Sequence, residues 1–231
     1  MSKLKKILLT FFSVCAFGSA FSQVEMYKTD KVLNDSSMSV RKTYKSISIG
    51  KQMWMLENLD TPIYQNGDSI PEARTEEEWK KCAEQKKGCW CYYQNNLELG
   101  RKFGRLYNWY AVTDPRGLAP KGWHVPSIQE WEELIIHLGG KMEAGNKLKS
   151  TLDWGNGCNP NNEAGFFGLP GGLRSTEGQF MSVNDYATWW STSDFKNDMA
   201  YYVYIYCSLS FAIKYYYTKG DGFSVRCIKD K

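Results

Sequence analysis

The sequence predicts an α+β domain in which two or three short helices pack on an antiparallel sheet, with long loops between them and disulfides holding them. Three observations predict it. Two capping-box motifs open helices in the first half of the chain, and alternating rows fill the second half. An even set of cysteines follows an export leader.

The leader comes first. Lys3, Lys5 and Lys6 precede an apolar run from Ile7 to Ala20, with small residues at Ala20 and Ser22. This is the pattern of a secretory signal peptide over residues 1–22, cleaved near Ser22. Cys15 lies in the apolar run behind Val14, a poor residue ahead of a lipidated cysteine, so cleavage is favoured over lipoprotein anchoring. The run is short for a transmembrane helix. The aromatic stretch 201–217 is broken by Ser208, Ser210 and Lys214. No integral span is therefore expected in the mature chain, which is read as secreted or held in the cell envelope, on the periplasmic side or the outer surface.

Residues 23–42 read as a polar linker and 43–231 as one domain. The chain has 231 residues, 42% of them hydrophobic and 23% charged, which excludes a coiled coil or a disordered tail. The formal charge of +4 becomes nearly neutral once the leader lysines go, so no nucleic-acid partner is expected.

Tyr44 to Met55 reads as a hairpin turning at Gly50, and Asn66-Gly67-Asp68 as a further turn. Thr75 and Glu78 form a capping box, with an acidic first turn that suits the helix dipole and Gly88 as the stop. Ser127 and Glu130 repeat the box. There Ile128, Trp131, Leu134, Ile135 and Leu138 keep helical spacing, and Gly139-Gly140 ends the run. Residues 154–162 form a turn-rich loop. Beyond it Tyr202, Tyr204 and Tyr206 alternate with Tyr201, Val203, Ile205 and Cys207, and strands are expected over 211–217 and 223–228, making an antiparallel meander.

Several blocks then carry a resemblance. They are Trp90 to Asn96, Gly104 to Val112, Gly122 to Trp131, Leu169 to Arg174, Trp189 to Ser193, and Gly222 to Asp230. In this order, from about Tyr44 to Asp230, the chain resembles the Fibrobacter succinogenes major paralogous domain, a family of exported proteins in Fibrobacter and Bacteroidota-type bacteria. More distantly, Val125-Pro126-Ser127 with Glu130-Trp131, and Phe223 to Cys227, are similar to segments of the formylglycine-generating-enzyme and C-type-lectin-like folds. That likeness implies a loop-rich α+β fold with its ends close together, and no activity. The oxidising cysteine pair of the former is missing, since Cys207 and Cys227 fall on separate strands. The calcium-site motifs of sugar-binding lectins are missing too; Asn159-Pro160-Asn161 and Val183-Asn184-Asp185 only echo them.

With Cys15 removed, Cys82, Cys89, Cys91, Cys158, Cys207 and Cys227 remain. Cys82–Cys89 would close a short loop at a helix end. Cys91–Cys227 would tie an early strand to the last one, as C-type-lectin-like folds do, which leaves Cys158–Cys207. A zinc site is disfavoured because Cys89 and Cys91 are the only close pair and the two histidines stand apart.

No catalytic residue, metal or cofactor is expected. His124 sits just before a helix cap with no nucleophile motif near it, and is read as a packing or hydrogen-bonding residue; His137 suits a helix C-terminus. Glu76, Glu77, Glu78, Glu130, Glu132 and Glu133 lie in first turns, where capping explains them better than a glycosidase pair. Arg174 and Arg226 are read as buried and paired with carboxylates.

The aromatic excess (9 Trp, 15 Tyr and 11 Phe) is more than alternating strands can bury. Candidate ligand-binding residues are Trp154, Asn156, Asn161, Trp189, Trp190, Tyr204 and Tyr216. The expected function is an exported, non-enzymatic binding or adhesion module for an extracellular glycan or envelope protein. The alternatives are an extracytoplasmic enzyme on the same fold, oxidoreductase-like or polysaccharide-acting, and a structural envelope subunit.

Overall fold

The computed structural model describes residues 44–231; the leader and the linker lie outside the described residues. In chain order the elements are β1 (Ser46–Ile49), β2 (Gln52–Met55), α1 (Glu76–Glu84), β3 (Trp90–Cys91), a 3-10 turn (Tyr93–Asn95), α2 (Leu97–Phe103), β4 (Leu106–Tyr107), α3 (Trp109–Val112), β5 (Trp123–His124), α4 (Ile128–His137), α5 (Ala144–Leu148), β6 (Leu173–Arg174), β7 (Phe180–Met181), β8 (Tyr186–Lys196), β9 (Met199–Tyr206), β10 (Ala212–Thr218) and β11 (Ile228–Lys229).

Gly50 takes φ +60°, which a glycine adopts freely, and folds β1 back on β2 with Ile49 opposite Gln52. Ile47 and Ile49 turn inward together, as the alternation predicts. Both capping boxes form. Thr75 accepts from the Glu78 N–H and Ser127 from the Glu130 N–H, and each glutamate accepts from its cap N–H in return. Helix α1 stops at Glu84, ahead of Gly88, because Lys86 already turns left-handed at φ 52°.

The meander is present as a three-stranded antiparallel sheet in the order β10-β9-β8. The last strand departs from expectation. Phe223 and Ser224 make single bridges to Tyr107 and Trp189, and the chain then leaves the meander. β11 instead pairs with β2 and β5, completing a second sheet in the order β1-β2-β11-β5. Two-stranded ladders, β3-β4 and β6-β7, sit beside these.

Helix α4 joins the two main sheets. Its Trp131 lies 4.6 Å from Trp54 of the β1-β2-β11-β5 sheet and 5.7 Å from Trp189 of the meander, and Phe166 closes the cluster 5.5 Å from Trp189. A separate cluster around Trp190, Tyr107, Val225 and Phe223 covers the other face of β8. Two buried arginines staple loops to these cores. Arg226 donates to the carbonyls of Met55 and Phe166 and to Asn58 Oδ1, and Arg174 donates to the carbonyls of Ala73, Thr75 and Gly178. Peptide carbonyls and an amide take the place of the expected carboxylates. Such pairing satisfies the guanidinium fork without burying a second charge.

Of the expected disulfides, Cys158–Cys207 is present, with Cα atoms 4.8 Å apart. Cys91–Cys227 is not. Cys91 lies on β3 in a cluster with Trp79 and Leu106, whereas Cys227 is carried with β11 to the β1-β2-β11-β5 sheet and packs in the Trp190 cluster. Cys82 and Cys89 adjoin each other but are thiols.

Candidate functional site

The antiparallel register of β8, β9 and β10 sets side chains of one parity on one face. Tyr206 faces Tyr186 across the ladder, Tyr204 faces Thr188 and Ile213, and Tyr202 faces Trp190 and Tyr215. The result is a row of phenols. Tyr186 and Tyr206 rings are 4.5 Å apart, Tyr186 and Tyr204 5.9 Å, and Tyr202 and Tyr204 5.6 Å at an interplanar angle of 23°. The row runs from core to solvent. Tyr202 is wedged among Trp190 and Phe223, at 6.2 and 4.7 Å, whereas Tyr204, Tyr206 and Tyr186 are half-buried. Burial and neighbouring phenols raise the Tyr186 and Tyr204 hydroxyls above the ordinary tyrosine value, so both are neutral donors at neutral pH. Because the rings lean on one another, what the row offers outward is ring edges and hydroxyl groups more than open ring faces.

The turn-rich loop is pinned at the solvent end of this row. Cys158–Cys207 ties it to the residue after Tyr206, the Gly155 N–H donates to the Asn184 carbonyl, and the Cys207 N–H donates to the Asp185 carbonyl. Asn156 is exposed on that loop. Trp154 is partly buried, donates to the Gly168 carbonyl, and has the Lys149 ammonium 5.4 Å from its ring. Lys149 itself is buried and donates to the Cys207 and Leu209 carbonyls; desolvation pulls it down to about 8.

Of the residues expected to bind, the fold thus gathers Tyr204 and Asn156 at one end of the sheet. Asn161 lies farther along the loop, where its N–H donates to the Asn146 carbonyl next to α5. Tyr216 has the opposite parity and stacks on Phe195 at 3.9 Å. Trp189 and Trp190 are wholly buried, with their indole N–H groups donating to Asn58 Oδ1 and the Tyr107 carbonyl. Neither can present a ring to a ligand, because the central stretch of β8, residues 187–191, is buried on both faces. Tyr186 and Tyr206 complete the row, though neither is among the candidate ligand-binding residues read from the sequence. The alternation of Tyr202, Tyr204 and Tyr206 was readable, but Tyr186 joins them only through cross-strand register.

A shallow cleft lies elsewhere, between the β1–β2 hairpin, α4 and the chain end, lined by Gln52, His124, Glu133, His137 and Asp230. His124 lines it, with Nδ1 2.7 Å from Asp230 and Nε2 2.9 Å from Glu130. Both ring nitrogens are engaged and the lining includes no Ser, Thr or Cys. The geometry is that of a clamp between the chain end and the α4 cap. Among the described residues no group of three or more His, Cys, Asp or Glu could hold a metal ion, and no helix is long and apolar enough to cross a membrane.

Residues 47–229 match the family model of the Fibrobacter succinogenes major domain. No curated relative and no solved structure matches the chain.

Proposed function

From the premise that this chain belongs to the Fibrobacter succinogenes major domain family, we propose that it is an exported binding or adhesion module of the cell envelope, without catalytic activity of its own. The observation that carries this reading is the row Tyr186, Tyr206 and Tyr204, with the disulfide-pinned loop beside it. Half-buried phenols on a rigid sheet lose little freedom on binding, and they pair apolar edges with hydroxyl donors. That chemistry suits an extended, hydroxyl-rich ligand, most simply an envelope or extracellular polysaccharide. A disulfide is compatible with residence outside the cytoplasm. The same reading extends to a C-type-lectin-like arrangement, supported by β11 lying beside β2 so that the two ends of the domain meet.

A glycan array and a pull-down from envelope extract, each with the purified chain, test the proposal. Retention of a polysaccharide class supports it. Capture of an envelope protein with a blank array transfers the same face to a protein partner. Blank results in both count against a binding module.

A further inference from the structure

The cysteines left unbridged are not scattered. Helix α1 ends two residues after Cys82, and the Lys87 N–H donates back to the Cys82 carbonyl, so the chain doubles back on the helix end. Asn108 fixes the return. Its Oδ1 accepts from the Cys89 N–H at 3.1 Å, and its Nδ2 donates to the Lys87 carbonyl at 2.8 Å and to Cys89 Sγ at 3.3 Å. Gly88 allows the fold-back, since a Cβ there would meet the Tyr64 hydroxyl at 2.4 Å. The fold-back packs Cys82 against the buried cluster that holds Cys89 and Cys91, with the Cys82 and Cys89 thiols adjoining. Their surroundings differ. Cys89 is fully buried and Cys82 is partly exposed. Cys91, the third thiol of the cluster, is buried against Arg174.

We propose that Cys82 and Cys89 form a thiol–disulfide exchange site, entered through Cys82, that takes small-molecule disulfides. The Cys82 thiolate attacks one sulfur of the disulfide. A mixed disulfide forms at Cys82, and the other half leaves as a thiolate. The Cys89 sulfur then attacks Cys82 Sγ as its proton passes to the departing sulfur. The Cys82–Cys89 bond forms and the second half leaves as a thiol. Two electrons pass from the protein dithiol to the small disulfide, and a dithiol reductant reverses the sequence. The electrostatics agree with this order. The hydrogen bond from Cys89, with Lys87 nearby, outweighs desolvation and holds the Cys82 thiol below the ordinary thiol range, whereas burial pushes Cys89 up and raises Cys91 to about 12.

The test is titration of the reduced full-length chain with glutathione disulfide, followed by acid quench, alkylation and peptide-resolved mass spectrometry. A chain isolated already bridged is reduced first, and re-formation of the bridge is followed. The expected result is a Cys82–Cys89 bridge, with Cys91 and Cys227 still alkylated after unfolding. Cys89→Ser should trap glutathione on Cys82. Cys82→Ser should leave Cys89 at least tenfold slower to oxidise, and this variant changes the partly exposed member and so keeps the fold. In the unmutated chain Cys82 alkylation should also rise at lower pH than that of an exposed peptide thiol. The proposal is overturned if both thiols survive the titration, if the bridge joins Cys91 instead, if glutathione is trapped on Cys89, or if Cys82→Ser leaves Cys89 oxidation unchanged.

Discussion

Arg226 shows how one side chain can decide a fold of this kind. It is fully buried, and it spans the end of β2, Asn58 and the loop at Phe166 with a planar fork. An ammonium cannot reach all three, so Arg226→Lys should cost about 3 kcal/mol in urea unfolding. His124 makes a pH-dependent contribution. Desolvation favours its neutral ring but is outweighed by the hydrogen bonds to Glu130 and Asp230, and its pKa is raised. The folded chain therefore holds that proton more tightly. The contribution is full below the unfolded value of 6.5 and is lost as pH rises through the folded one. Glu130 behaves in the opposite sense. Desolvation opposes its charge, but bonds from Ser127 and His124 win and lower its pKa, so its contribution is lost as pH falls through the folded value. The urea midpoint should therefore fall as pH rises above about 6.5. In His124→Gln that slope should flatten; an unchanged slope would remove His124 from the account.

At the scale of elements, local chemistry tells how a helix starts but not what a strand pairs with. The boxes at Thr75–Glu78 and Ser127–Glu130 are legible because cap and partner lie within one turn. Ser127→Ala should cost about 1 kcal/mol by thermal unfolding. Short helices such as α3 and α5, of four and five residues, carry too few residues to show a period. The pairing of β11 with β2 and β5 depends on residues more than a hundred positions away, and nothing within Ile228–Lys229 announces it. The Trp189–Trp190 pair reads as half exposed on an alternating strand, yet the central stretch of β8 is buried on both faces. Tertiary covering decides exposure there, as cross-strand register does for Tyr186, and neither is written in the local sequence. The loop at 154–162 was legible as a loop, and its disulfide holds it to β9. Replacing both Cys158 and Cys207 by serine should cost about 3 kcal/mol and open the loop to proteolysis, read by cleavage mapping between residues 151 and 165.

The whole molecule is a cross-braced scaffold. Helix α4 is trapped between two sheets, buried arginines hold the loops to the cores, and a disulfide fixes the solvent end of the tyrosine row. The parts that face outward on that row add little to the cores beneath. Tyr204 and Tyr206 are half-buried, outward-facing residues whose neighbours Val203 and Ile205 are fully buried on the other face. Changing the outward pair should therefore alter recognition far more than folding.

The most direct measurement compares retention of the full-length chain and of a Tyr204→Ser/Tyr206→Ser variant on the polysaccharide or envelope fraction that the unmutated chain binds, with thermal unfolding of both recorded alongside. The account predicts at least a tenfold loss of retention, about 1.4 kcal/mol or more, with a melting temperature within a few degrees of the original. Equal retention by the two chains, or cleavage of the bound polymer by either, would contradict it.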